Sequence, residues 1–227
     1  LAALIGLGKA IKKHDLTKIL TFHSRVKGAK RIAEAGKPES FFAVNENLLG
    51  DAKLDRKIWT RWITAEKTVN QRESIFNAFE KLPPEDVGII SNCACLGEGV
   101  DIPELDGVVF IDPRQSIIDI IQAVGRVIRK KDRKGTIVVP VFANSDEDSE
   151  DALNKSDFAT LWYVIRALRA HDEVLSEELD AIRTHLGKRV SRTSDKICLP
   201  DKLILDLPAD MPDEFVNEIH ASTIENI

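Results

Sequence analysis

Four short runs of β-branched and apolar residues, spaced by segments of helical pattern, constrain this chain more than any other feature. KILTFHS (18–24), VGIIS (87–91), GVVFID (107–112) and TIVVPVF (136–142) are nearly continuous in Val, Ile, Leu and Phe. A strand with one wet face alternates apolar and polar residues, whereas a strand covered on both faces reads as an unbroken apolar run. Helical segments stand between them. RVKGAKRIAEAG ends on Gly36, and in TVNQRESIFNAFEKLPP the pair Thr68 and Gln71 has capping-box spacing while Pro83-Pro84 stops the helix. Strands alternating with helices predict an open parallel α/β sheet in three layers, with ligands collecting at the carboxyl ends of the strands. RWIT (61–64) is a further strand candidate, and residues 37–60 are ambiguous in pattern, an insertion being one reading.

Beyond the sheet pattern the chain changes character. ANSDEDSEDALNKSD is acidic and turn-rich, the signature of a connector. After it, Phe158, Leu161, Trp162, Ile165 and Leu168 form one helical stripe, and Leu175, Leu179, Ile182 and Leu186 a second that ends at Gly187. KLILDLP (202–208) reads as a last strand and DEFVNEI as a short helix. Residues 1–140 carry 23 Lys and Arg against 18 Asp and Glu, while residues 141–227 carry 9 against 19. The net charge of −5 therefore hides a basic part suited to phosphate and an acidic part that is not.

Other classes are set aside by composition. No apolar run approaches the roughly 18 residues that cross a bilayer, so no membrane partner is expected. LAALIGLGKAIKKHD places its charges after the apolar stretch, unlike a signal peptide, and the chain has no initiator Met, as in a fragment of something longer. Cys93, Cys95 and Cys198 are too few and too scattered for a disulfide framework and fit a reducing cytoplasm. No second Cys or His pair stands at metal-ligand spacing; Cys93 and Cys95 alternate along a strand and are expected in the core.

The segment QAVGRVIRK poses the functional question. At 100° per residue from Ile117, the side chains of Ile120, Ile121, Val124 and Ile128 fall within roughly 60°, a stripe that docks on a sheet. Gln122, Gly125, Arg126 and Arg129 fall between roughly 80° and 180°, with Ser116 and Asp119 capping the helix start. Gly125 costs about 1 kcal/mol against Ala, which suggests close approach by another surface. Two guanidiniums about one turn apart suit a polyphosphate through their fixed charge and planar fork, although a solvated basic face or ion pairs with the acidic tail would use the same residues. The preceding loop, with Gly97 and Gly99, permits close backbone approach to a ligand. In it Asp101 is able either to accept from a ribose hydroxyl or to cap a turn. Ser91 and Asn92, at the expected strand end, are candidates for phosphate contact.

These segments together carry a resemblance. LGEGVDIPELDGVVFID resembles motif V and QAVGRVIR motif VI of superfamily-two helicases and DNA translocases of DEAD/DEAH type; ILTFHSRVKGAKRIA resembles motif IV, and NQRESIFNAF the Arg-containing helix between. Order and spacing are similar to the second of two RecA-like motor domains, above all to motors of restriction-type and phage-associated systems, over about residues 16–190. The resemblance implies Arg126 and Arg129 as arginine fingers reaching ATP on a partner domain, with Gln122, Gly99 and Asp101 on the nucleotide side. It implies Ser24, Arg25, Ser91 and Asn92 as contacts to the sugar–phosphate backbone of one strand of DNA or RNA, and Arg72 as a further member of that track.

The expected organisation is then a linker from an upstream domain (1–15), a RecA-like helicase C-terminal domain (16–143), an acidic connector (144–157) and a helical extension with a short strand (158–227). No phosphate loop of the form G-x-x-x-x-G-K-[ST] and no DEAD or DEAH quartet occurs; GLGKA lacks the glycine spacing, and Ala10 offers magnesium no hydroxyl. ATP and Mg2+ are therefore expected mainly on an upstream RecA-like domain of the same polypeptide, and this segment alone is expected not to hydrolyse ATP. Two rivals remain open: a RecA-like module that binds nucleic acid or protein without cycling, and an unrelated nucleotide- or sugar-binding α/β enzyme. The latter would need a base such as His23, which is expected instead to pack or hydrogen-bond near its own strand.

Overall fold

In the computed structural model, residues 1–47, 49–93, 104–112, 135–140, 156–170, 173–187 and 213–226 are described. The chain divides into two units, Leu1–Pro140 and Val141–Ile227.

In the first unit the elements run α1 (Ala2–His14), β1 (Lys18–His23), α2 (Val26–Ala33), α3 (Phe41–Asn47), a 3-10 turn (Gly50–Ala52), β2 (Ile58–Thr64), α4 (Val69–Glu80), β3 (Val87–Cys93), β4 (Gly107–Asp112) and β5 (Thr136–Val138). The sheet is five-stranded in the order β2-β3-β1-β4-β5, and every pairing is parallel. From β1 the chain travels past β3 to reach β2, then turns back to β3. Right-handed crossovers taken in opposite directions place their helices on opposite faces. Accordingly α2 and α3 cover one face, and α4 the other. This is the RecA-like arrangement expected from the alternating runs.

Register decides which residues share a face. Ile19 and Thr21 of β1 lie beside Ile89 and Ser91 of β3, on the α2 side. Their neighbours Leu20 and Phe22 lie beside Ile90 and Asn92 on the α4 side, where Phe22 stacks on Phe110 with ring centroids 5.6 Å apart. β3 is buried along its whole length, as its apolar run requires.

Residues 1–15 differ from expectation. They are not a linker: α1 buries Leu4, Leu7 and Ile11 in the same cluster as Ile19, Ile32, Phe41, Val44 and Val109. The spacing i, i+3, i+7 puts all three on one face of a helix. Gly8 lets the helix approach Leu49, because a Cβ there would lie 2.4 Å from the Leu49 Cδ1. Lys12 Nζ donates to the Asp51 carbonyl at 2.6 Å, tying the helix to the 3-10 turn. Residues 37–60 also pack onto the domain, with Phe41, Val44, Leu49 and Leu54 in its core. The buried Asn45 amide donates to the Leu54 carbonyl (3.2 Å) and accepts from the Leu54 N–H (2.9 Å), which closes the segment onto α3.

The second unit contains α5 (Ser156–Arg169), α6 (Glu173–Gly187) and α7 (Asp213–Asn226). Leu161, Trp162, Val164 and Ile165 of α5 are buried, with Leu179 of α6 and Ile219 of α7. α6 touches both other helices, and Arg169 pairs with Asp180 across α5 and α6. α7 is longer than the short helix expected there; the expected strand at 202–208 lies outside the described residues, as does the 144–155 part of the connector. Among the described residues, no helix is long and apolar enough to cross a membrane.

Candidate nucleic-acid interface at the carboxyl edge

β1 ends at His23, and the chain leaves the sheet at Ser24 to enter α2. Arg25 is the N-cap residue, in extended conformation (φ −129°, ψ 139°), and its side chain makes no capping bond. Its carbonyl accepts from the N–H groups of Gly28 (3.0 Å) and Ala29 (3.2 Å), so the helix starts cleanly behind it. A helix start carries first-turn N–H groups without intrahelical partners and the positive end of the helix dipole. The Arg25 and Lys27 side chains are exposed there and add two full positive charges. That combination suits a phosphate, since guanidinium and N–H groups both donate and neither repels the anion. Ser24 is half-buried beside them.

Ser91 and Asn92 occupy different places from those expected. β3 does not end at Ser91; its pairing with β2 continues through Trp62↔Ser91, Ile63↔Asn92 and Thr64↔Cys93. Both residues are therefore inside the sheet, on opposite faces, at 0% and 2% exposure. The Ser91 Oγ accepts from Thr21 Oγ1 at 3.2 Å, and Thr21 Oγ1 lies 2.9 Å from His23 Nε2. With the threonine hydroxyl donating to serine, the imidazole Nε2–H donates to threonine. His23 is thus a buried link in a chain beneath the carboxyl edge, in keeping with the packing and bonding role expected of it. Ser91 serves that chain, and the Asn92 side chain is buried on the other face.

A register shift sharpens this corner. Phe22 pairs with Phe110 but His23 pairs with Asp112, so β4 carries one extra residue at the level where β1 leaves the sheet. Bulges of this kind bend the strand and re-aim side chains near its end. The neighbouring helix, α4, starts differently from α2: Thr68 Oγ1 accepts from Gln71 N–H (3.3 Å) and Gln71 Oε1 from Thr68 N–H (3.0 Å). The capping box anticipated from Thr68 and Gln71 is present, and Arg72 sits half-buried just after it.

Gln122, Arg126, Arg129, Gly99 and Asp101, together with Cys95 and Cys198, lie outside the described residues. Cys93 is buried in the sheet. Among the described residues no three His, Cys, Asp or Glu side chains converge on a point. At the opposite, amino edge, Glu46 hydrogen-bonds Lys53 and holds its ammonium pKa above the ordinary lysine value.

One feature at the carboxyl edge escaped the sequence reading. Trp62, near the end of β2, is half-buried with the Lys67 Nζ 3.7 Å and the Lys30 Nζ 4.7 Å from its ring centroid. The signal available was RWITAEK, a tryptophan between cationic residues at the end of a strand.

The model of the helicase conserved C-terminal domain matches residues 3–131, more than half of the chain. The chain belongs to this helicase family. Its match begins inside α1, in accord with that helix being part of the domain. The probable helicase A859L of African swine fever virus (isolate Pig/Kenya/KEN-50/1950) is 42% identical over 60 residues, 26% of this chain and 7% of the viral protein. The same protein from strain Badajoz 1971 Vero-adapted gives the same values. The structure of the ATP-dependent Type ISP restriction-modification enzyme LlaBIII bound to DNA has the same fold, with a TM-score of 0.73 and 20% identity. That alignment covers 99% of this helicase C-terminal domain chain and 15% of the restriction enzyme. The chain thus spans a small part of the proteins it resembles.

Proposed function

We propose that this chain is the second motor domain of an ATP-dependent helicase or translocase that moves along one strand of nucleic acid. The observation that carries the reading is the start of α2: a helix N-terminus with an exposed, uncommitted-to-capping Arg25, at the ligand-binding edge of a RecA-like sheet in a helicase-family chain. Ser24 and Arg25 would hold the strand through its phosphates, a contact that fixes position without reading sequence. DNA is the favoured strand, because the restriction enzyme of matching fold was solved on DNA.

Arg126 and Arg129 are assigned to ATP seated on a partner RecA-like domain, with Gln122, Gly99 and Asp101 beside them. ATP with Mg2+ would supply the γ-phosphate charge whose presence favours a closed cleft. The two guanidiniums cancel that charge, and removal of a finger costs about 10³–10⁵ in rate in related motors. Opening and closing of the cleft would be carried to the strand through β1 and β3, whose ends are joined by the Thr21, Ser91 and His23 hydrogen bonds. The test is DNA-stimulated ATP hydrolysis by the full polypeptide. Arg126→Ala and Arg129→Ala should each lower it about a hundredfold or more with the unfolding transition unchanged. If both variants hydrolyse ATP at the wild-type rate, the domain is a passive binding module.

A further inference from the structure

Trp62 differs from Trp59, its neighbour on β2. Trp59 lies on the α4 face against Phe79, with ring centroids 5.9 Å apart, and Arg61 covers it at 5.0 Å. That is a ring backed by another ring, a packing contact. Trp62 lies on the α2 face, in the row Trp62–Ser91–Thr21 that crosses three adjacent strands just below the carboxyl edge. Its described partners over the ring are two ammonium groups. Lys30 also pairs with Glu66 at 2.6 Å. Lys67, in the turn before α4, has no carboxylate partner among the described residues, and its backbone N–H is fixed on the Thr64 carbonyl at 3.0 Å.

We propose that Trp62 is a stacking platform for a nucleobase of the bound strand, with Lys67 as a flanking phosphate contact and Lys30 as a second. The proposal rests on the strand-track reading above and extends that track from the start of α2 towards the start of α4. Basic side chains that follow the backbone and an aromatic ring that takes a base are the two components of sequence-tolerant single-strand binding. A cation over such a half-buried ring is worth about 0.5–2 kcal/mol, a stacked base about 1–3 kcal/mol. A base can therefore displace Lys67 from the indole, and the released ammonium then meets the adjoining phosphate. The tryptophan thus keeps the lysine in place before the strand arrives.

The test uses the full polypeptide and measures binding of an oligo(dT) strand of about 20 nucleotides by fluorescence anisotropy across a salt series. Trp62→Leu should weaken binding about 5- to 150-fold, whereas Trp62→Phe, which keeps a π face, should retain most of the affinity. An abasic strand of equal length should bind wild type and Trp62→Leu alike, which separates stacking from phosphate contact. Lys67→Ala should lower the slope of log K against log salt by about 0.7 with no change in the unfolding transition. Equal loss in the Leu and Phe variants, or equal loss on the abasic strand, would make Trp62 a structural residue and overturn the platform. An unchanged salt slope in Lys67→Ala would overturn the phosphate contact even if Trp62→Leu failed to fold. If Arg25→Ala weakens binding and neither Trp62→Leu nor Lys67→Ala does, the track stands and this extension falls; if none of the three does, the track falls with it.

Discussion

The two edges of the sheet solve opposite electrostatic problems. At the amino edge, the Asp106 carboxylate closes the start of β1: Oδ2 accepts from the Thr17 N–H at 2.8 Å and from the Thr17 hydroxyl, and Oδ1 accepts from the Lys18 N–H at 2.8 Å. Its backbone joins in, donating to the Lys18 carbonyl at 2.9 Å and accepting from Thr136 N–H at 2.8 Å. The Thr17 and Lys18 N–H groups there are consumed inside the protein. At the carboxyl edge, the start of α2 has no side-chain cap from its N-cap residue, and Arg25 and Lys27 face solvent. A carboxylate that satisfies the donors beside it stabilises the fold. An edge with donors and cations directed outward is placed to receive a phosphate. The difference lies in where the charge is spent, on registering β1 against β4 or on a ligand.

Three substitutions probe this contrast, beginning with the largest effect. Asp106→Ala removes three charge-assisted hydrogen bonds and should destabilise the domain by about 2–4 kcal/mol in denaturant unfolding. Strand affinity of the folded fraction should be unchanged; a loss of affinity would show that the two edges are coupled. Gly88→Ala, near the amino end of β3, places a Cβ 2.5 Å from the Leu82 Cδ1 and 2.8 Å from the Phe79 Cε2, and overpacking of that kind costs about 1–3 kcal/mol. A neutral result would mean that α4 shifts freely on the sheet. Arg25→Ala should change stability by less than about 0.5 kcal/mol, as surface substitutions do. It should flatten the salt dependence of single-strand binding by about 0.7 in log–log slope, and an unchanged slope would remove the carboxyl edge from the strand path.

Most of the fold was legible because burial on both faces leaves its mark on composition. The β1, β3 and β4 segments show it as runs of Ile, Val, Leu and Phe, and α4 is bounded by Thr68, Gln71 and the two prolines. Misreadings occurred where partners are distant in sequence. α1 has a plain 3-4 apolar stripe, yet a chain start with no strand before it read as a linker; the contacts that hold it come from α3 and the 3-10 turn. The site divides the same way. Arg25 follows a run that ends within one residue of the end of β1, so its exposure could be anticipated. Ser91 and Asn92 follow an equally apolar run, but pairing with Ile63 and Thr64 of β2 carries β3 past them to Cys93. Polar residues at the end of an apolar run do not mark a strand end when a neighbouring strand still supplies hydrogen bonds.

Local pattern by itself determined the alternation of helix and strand, the parallel sheet, the cap of α4 and the basic start of α2, because each depends on residues within a few positions of one another. Tertiary structure alone decided that Ser91 is turned inward to Thr21, that Asp106 locks β1, and that Lys30 and Lys67 meet over Trp62. Those contacts join residues tens of positions apart. They exist only after strand order and register have set which side chains stand in the same row.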